Sequence, residues 1–248
     1  MPLDADESAA RRAVTECRSL CVLTGAGVSA ESGVPTFRGP GGMWRDRDPM
    51  SLATPEAFAE DPKTVWEWYQ WRRERIRNCV PNPGHEAIAQ IERRKRDFLL
   101  VTQNVDGLHR RAGSRKVVEF HGNIWMVRCT GCGREEEVLS DFPSLPPRCP
   151  SCGALLRPGV VWFGERIPPA ALEAALAMME RCDLLLVAET SSVVQPSASF
   201  AFAVAQRGGT VIEVNLEATP ISESARFSFR GKTGEILPLL LGARSDPP

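Results

Sequence analysis

The sequence predicts an α/β protein, a doubly wound parallel sheet with a smaller lobe inserted into it. Two observations predict it. Short apolar runs alternate with helical patterns, as a parallel sheet covered on both faces requires. Two segments then break the rhythm: Phe37 to Pro83 is helical and rich in Trp and Arg, and Asn123 to Arg157 carries paired cysteines and four prolines, Pro143, Pro146, Pro147 and Pro150.

Taken in order, Ser8 to Arg18 reads as a helix and Leu20 to Thr24 as a strand, followed at once by a glycine-rich turn. Gly84 to Arg94 is helical, and Phe98 to Thr102 and Lys116 to Phe120 are the second and third strands. The helix Pro169 to Arg181 precedes a fourth strand, Asp183 to Ala188, and the helix Ser197 to Arg207 precedes a fifth, Thr210 to Val214. The alternation gives a Rossmann-like domain from 1–36, 84–122 and 158–248. The helical insertion 37–83 and the cysteine module 123–157 are expected to form the small domain.

Composition narrows the function classes. The chain has 248 residues, 25% of them charged and 43% apolar, a globular balance. A net charge of -1 gives no bulk reason to bind nucleic acid or an anionic membrane. No apolar run approaches the ~18 residues of a membrane-spanning helix. The acidic start, Leu3 to Glu7, lacks the hydrophobic core of a secretion signal, so a cytoplasmic location is expected. In that compartment eight cysteines make a poor disulfide framework.

Cys129-x-x-Cys132 and Cys149-x-x-Cys152 lie sixteen residues apart. Each pair can turn two thiolates to one point, and two pairs complete a tetrahedral sulfur shell for zinc. Two disulfides or free thiols are the bland alternative. Four protein thiolates leave no open position, so such a zinc is structural. Cys17, Cys21, Cys79 and Cys182 read as small packing residues.

The turn Gly25-Ala26-Gly27-Val28-Ser29-Ala30 suits either a phosphate cradle or an ordinary strand-to-helix turn. Gly33 and Pro35 follow closely, which favours an open loop over immediate entry into a helix. Of three histidines, His85 reads as a cap or packing residue and His109 as structural or pocket-lining. His121 lies just past a strand's carboxyl end, where open α/β sheets bind ligands, and is the candidate base.

The helix Lys63 to Arg77 carries a finer clue. At ~100° per residue, Val65, Trp68, Tyr69, Arg72 and Ile76 share one stripe, opposite Glu67, Gln70, Glu74 and Arg77. Arg72 occupies a mid-stripe position where an apolar residue is expected, whereas Arg73 and Arg75 fall toward the flanks. Tyr69, the single tyrosine, is three positions from Arg72 and hence adjacent on the helix surface. The pair is either a carboxylate receptor or an arginine that snorkels or meets a core acid.

Together these motifs resemble the sirtuin family. The resemblance runs from Gly25-Ala26-Gly27 and Gly33-Val34-Pro35 through Thr102-Gln103-Asn104-Val105-Asp106, His121-Gly122 and the paired cysteines. It continues over Val160 to Glu165, Thr190-Ser191, Asn215-x-Glu217 and Gly231-x-x-Gly234. It implies an NAD-dependent protein-lysine deacylase with one structural zinc, which consumes NAD as a co-substrate. The acyl oxygen attacks C1′ of the nicotinamide ribose, nicotinamide leaves, and the 2′-hydroxyl, activated by His121, attacks the acyl carbon. Water then releases lysine and O-acyl-ADP-ribose.

By the same resemblance NAD is held by Gly25, Ala26, Gly27, Ser29, Pro35, Thr36, Phe37, Arg38 and Trp44. Gln103, Asn104, Val105 and Asp106 hold the nicotinamide end, and Thr190, Ser191, Asn215, Leu216, Glu217 and Thr233 the adenosine end. Val161, Phe163, Gly164 and Glu165 take the acylated peptide as an added strand. Tyr-x-x-Arg is similar to the members that remove succinyl, malonyl or glutaryl groups, with Ala53 leaving room for the longer acyl chain. One position departs: Glu189, also among the expected NAD-binding residues, stands where the family usually has glycine, and its bulk and negative charge either accept a ribose hydroxyl or weaken binding of the anionic cofactor. Two other readings use the same residues, mono-ADP-ribosyl transfer to protein and a zinc-ribbon nucleic-acid module with Arg93-Arg94-Lys95-Arg96 as contacts.

Overall fold

The computed structural model of the chain describes residues 5–36 and 48–242. After α1 (Ala5–Glu16) come β1 (Ser19–Thr24), α2 (Pro55–Glu60), α3 (Pro62–Arg77), α4 (Pro83–Arg94) and β2 (Asp97–Thr102). Next are α5 (Leu108–Arg111), β3 (Val117–Glu119), β4 (Gly122–Cys129), β5 (Glu135–Glu137) and β6 (Leu156–Val160). The chain continues through α6 (Pro169–Arg181), β7 (Leu184–Ala188), α7 (Phe200–Gln206), β8 (Thr210–Asn215), β9 (Phe227–Arg230) and α8 (Thr233–Leu241).

Six strands form one parallel sheet in the order β3-β2-β1-β7-β8-β9. Successive side chains of a strand point to opposite faces, and both faces are covered. Leu20 and Val22 of β1 pack with Ala10, Ile88 and Leu240 from α1, α4 and α8. Cys21 and Leu23 face the other way, onto Met178, Phe200 and Val204 from α6 and α7. This is why the central strands are apolar throughout, the pattern that made them readable.

The smaller lobe carries a three-stranded antiparallel sheet, β5-β4-β6. Its core joins α3 (Trp66, Tyr69, Ile76) to β4 and β6 (Ile124, Val127, Leu156). The three strands were not read from the sequence. Neither were β9, an edge strand that alternates half-buried with exposed residues, and α8, which is apolar and contains Pro238. Glu213 of β8 draws β9 in by accepting hydrogen bonds from Ser228 (2.6 Å) and Arg230 (2.9 Å).

One expectation is overturned. Arg73 does not lie on a solvated flank but is 0% exposed. The stripe of α3 that carries Tyr69 and Arg72 is buried as expected, yet Trp66 and Arg73 form a second buried face. The Trp66 indole donates to the Leu156 carbonyl at 2.7 Å, and Arg73 donates to the carbonyls of Val138 and Ser140. Burial draws the Arg73 pKa down to about 10. Its guanidinium lies over Trp125 (5.1 Å) and Phe142 (5.3 Å), where delocalised charge is tolerated.

Candidate active site at the carboxyl edge of the sheet

The strand order reverses between β1 and β7, and a ligand crevice is expected beyond the carboxyl ends of strands at such a point. Gly25 follows β1 there and donates its N–H to the Ala188 carbonyl at the end of β7 (3.1 Å). A Cβ at Gly25 would stand 2.4 Å from the Glu189 carbonyl oxygen, so only glycine lets the two strand ends approach. The chain does not stay open after the turn. It winds a 3-10 stretch, Ala26–Ser32, closed by Gly33 in the left-handed region at φ 86. Pro35 and Thr36 are half-buried beyond it, and Phe37, Arg38 and Trp44 lie outside the described residues.

That stretch delivers Ser29 to a buried polar cluster. The Ser29 hydroxyl donates to Asp106 (2.7 Å) and accepts from Asn104 (3.2 Å). His85 completes it. The Asn82 backbone N–H donates to His85 Nδ1 (3.3 Å), so the proton sits on Nε2, which donates to Ser29 at 3.3 Å. His85 is therefore a helix cap, as read, and also a partner of Ser29, which no local signal announces. His109 stacks on it at 4.6 Å and bonds Thr24 at 2.9 Å. Burial holds both rings neutral, with the His85 pKa down at about 4 and that of His109 well below its ordinary value. Burial also raises the Asp106 carboxyl, against hydrogen bonds from Leu108 and Ser29.

His121 follows β3. Its Nδ1 is 3.1 Å from the Gln103 carbonyl, which can only accept, so Nδ1 carries the proton and the Nε2 lone pair is free to take one. Burial lowers its pKa, so the neutral, basic form prevails at neutral pH. Gln103 is locked in turn: its amide donates to Thr190 (2.9 Å) and accepts from Ser197 (3.0 Å). Asn215 donates to the Thr190 carbonyl at 2.8 Å, and Val105 and Asp106 anchor β4 through Ile124 (2.8 Å) and Trp125 (2.9 Å). Ser191, Leu216 and Glu217 are exposed, while Thr233 is buried beside Glu31 at 3.3 Å.

A crevice of about 330 Å³ runs past Gly27, Ala30, Glu189, Leu216 and Thr233. Its position over the small-residue turn fits a dinucleotide. Glu189 complicates the fit. It holds a left-handed backbone at φ 50, as its glycine counterpart would do without strain. Its carboxylate lies against Gly27, where a Cβ would be 2.0 Å from Oε2, and accepts the Leu216 N–H at 3.0 Å. Burial, with Glu31 and Glu217 nearby, raises its pKa to about 7.

The expected peptide-binding segment does not form a strand: β6 stops at Val160. The N–H groups of Val161 and Phe163 are used by the carbonyls of His121 and Ala53, each at 2.9 Å. Those of Trp162 and Glu165 are used within the segment, and the Glu165 carboxylate is clamped by Arg157 at 2.5 and 2.9 Å. Gly164 turns the chain at φ 84. A peptide would therefore meet mainly carbonyls and the Gly164 N–H.

Ala53 is buried under this segment. Tyr69 and Arg72 are 2% and 3% exposed, and the Arg72 guanidinium lies 4.7 Å over Trp68 and 5.3 Å over Tyr69. Burial lowers the Arg72 pKa from a high starting value, so the group stays cationic at neutral pH. Trp162, not singled out among the site residues from the sequence, reaches Tyr69 with its indole nitrogen at 2.9 Å.

The four cysteine sulfurs lie within 4.8 Å of one another, with Cys129 to Cys152 at 3.4 Å and Cys132 to Cys149 at 3.8 Å. Tetrahedral zinc with bonds of about 2.3 Å asks for sulfurs about 3.8 Å apart. The Cys129 sulfur accepts the N–H of Cys132 and of Gly131, each at 3.4 Å, which favours the thiolate. These residues fit a closed, structural zinc site.

A model of the Sir2 family matches residues 25–196. The chain belongs to the Sir2 family. It is 52% identical over 228 residues to NAD-dependent protein deacylase 1 of Archaeoglobus fulgidus, covering 91% of this chain and 93% of that one. A solved Sir2 homolog–NAD complex superposes with a TM-score of 0.90 at 49% identity, covering 96% and 93% of the two chains. A Sir2 protein solved with a deacetylated p53 peptide and 3′-O-acetyl ADP-ribose matches with a TM-score of 0.85 at 31% identity over 96% and 98%. Among the described residues of this Sir2 chain, no helix is long and apolar enough to cross a membrane.

Proposed function

We propose that this Sir2 chain removes acidic acyl groups, succinyl and malonyl, from protein lysines, and acetyl more weakly. NAD-dependent protein deacylation is the class of its relatives at about half identity. The observation that carries the acyl preference is a buried guanidinium and a buried phenol side by side on α3. A cation held in an aromatic setting favours a substrate that brings the opposite charge, and a guanidinium takes a carboxylate through two parallel hydrogen bonds.

In this reading the Rossmann-like body (1–36, 84–122, 158–248) binds NAD and the insertions 37–83 and 123–157 shape the acyl end of the site. NAD supplies the electrophilic ribose carbon, with nicotinamide as its leaving group, and is consumed. Ser29, Asn104 and Asp106 hold the nicotinamide side in a buried, hydrogen-bonded cluster. His121 takes the ribose hydroxyl proton at Nε2, with Gln103 fixing the tautomer. Thr190, Asn215 and Thr233 frame the adenosine side. A zinc held by Cys129, Cys132, Cys149 and Cys152 would tie the end of β4 to the second cysteine turn and supply structure, not chemistry. An acylated peptide lies along Val161 to Glu165 and Ala53.

The deciding assay follows NAD-dependent turnover of acetyl-, succinyl- and malonyl-lysine on one peptide, with Tyr69→Phe combined with Arg72→Met. Unchanged succinyl turnover in that pair would sink the pocket assignment. Mass spectrometry of the products separates O-acyl-ADP-ribose from ADP-ribosylated protein.

A further inference from the structure

The Trp162 indole nitrogen lies 2.9 Å from the Tyr69 hydroxyl. An indole N–H only donates, so the Tyr69 oxygen must accept. The Arg72 guanidinium lies beside the same side chain, 5.3 Å over the Tyr69 ring. The phenolic hydrogen is then the one donor the group still has to offer. Among the described residues no acceptor takes it, although Tyr69 is 2% exposed. A buried donor presented in this way is matched by an acceptor that arrives from outside.

Trp162 is itself held firmly. Its ring lies 3.6 Å from the Arg157 guanidinium and packs on Phe58 at 5.3 Å. Its backbone N–H donates to Glu165 at 2.8 Å, and Arg157 clamps the same carboxylate. The residue thus sits in the segment beside the peptide while its side chain reaches the acyl corner.

We propose that Trp162 is a positioning residue for acyl selectivity: by donating to the Tyr69 oxygen, it turns the phenolic hydrogen onto the carboxylate of an acidic acyl chain. The inference rests on the acidic-acyl reading of Tyr69 and Arg72. It adds that the peptide segment and the acyl pocket are coupled through one indole.

The test is Trp162→Phe, which keeps an aromatic ring for Arg157 and Phe58 and removes the indole N–H. Steady-state kinetics with saturating NAD compare succinyl- and acetyl-lysine on one peptide. The succinyl-to-acetyl selectivity is expected to fall about 5–10-fold, mainly through the KM for the succinyl peptide, as for loss of one hydrogen bond between neutral groups. Tyr69→Phe should lower the ratio similarly, and Trp162→Phe added to it should cause little further loss. An unchanged ratio in Trp162→Phe, or effects of the two variants that simply multiply, overturns the proposal. If Tyr69→Phe itself leaves the ratio unchanged, the acidic-acyl reading has failed, and the role of Trp162 with it. A measurement on the unaltered chain guards against a folding defect. The Trp162 indole N–H resonance, assigned by its loss in Trp162→Phe, should move on binding succinyl-lysine peptide more than on binding acetyl-lysine peptide. Equal movement argues against the proposal.

Discussion

The carboxyl edge of the parallel sheet and the aromatic corner of the small lobe supply the two halves of the site, and different forces position them. At the sheet edge, Gly25, Gln103, His121, Glu189 and Asn215 each sit within a residue or two of a strand end. Backbone ladders fix those ends, so each residue's place follows from its neighbours in sequence. At the aromatic corner, Ala53, the α3 pair Tyr69 and Arg72, and Trp162 come from three separate segments. They meet because Trp66 and Arg73 pin α3 to the cysteine module. The first half should tolerate damage to the second, and not the reverse.

Removing zinc breaks that comparison most directly. Chelation, or Cys129→Ser, should abolish deacylation and strip hydrogen-exchange protection from β4, β6 and α3, while β1, β2 and β7 keep theirs. Calorimetry should still detect NAD binding, and its complete loss would mean the halves are not separable. Next in size is His121→Ala, expected to lower kcat by about 10²–10⁴-fold. Since burial depresses the His121 pKa, the acid limb of the pH–rate profile should fall below the ordinary histidine value of about 6.5. Tyr69→Phe with Arg72→Met should cost about 10–100-fold in succinyl turnover and far less in acetyl turnover.

Glu189 offers a smaller effect on the sheet side. Its raised pKa of about 7 means it is neutral below that pH and charged above it, facing an anionic cofactor. NAD affinity should therefore fall as pH rises through about 7, by at most about tenfold per unit, and Glu189→Gln should flatten the slope in calorimetric titrations. The smallest effect concerns stability. His85 is depressed to about 4 in the folded chain, so its contribution is complete above the ordinary histidine range and is lost as pH falls from about 6.5 toward 4. Up to about 3 kcal/mol is at stake, measurable as a falling urea midpoint that His85→Asn should blunt.

Legibility in the sequence followed the same division. The inner strands β1, β2, β7 and β8 were readable because burial on both faces leaves an apolar run, and the motifs of the sheet edge were contiguous. The strands of the small lobe were hidden because β4 alternates irregularly and β5 is three glutamates. Their apolar residues reach the core only once the strands pair and α3 packs on them. The role of Trp162 was not legible because a contiguous motif gives only a residue's neighbours, while its partner Tyr69 lies 93 positions away.

By itself the sequence determined the doubly wound sheet, the sulfur shell and the adjacency of Tyr69 with Arg72. Each is local: a strand's two faces, a pair of turns, and three positions of one helix. The tertiary structure alone decided the rest. It buried Arg73 by laying a second body on the far face of α3, which one-sided periodicity cannot encode. It bonded His85 to Ser29 across 56 positions and laid Glu189 over Gly27, a strand end away in space but not in sequence. Such contacts are chosen by which strands become neighbours, and that choice belongs to the packing of the whole chain.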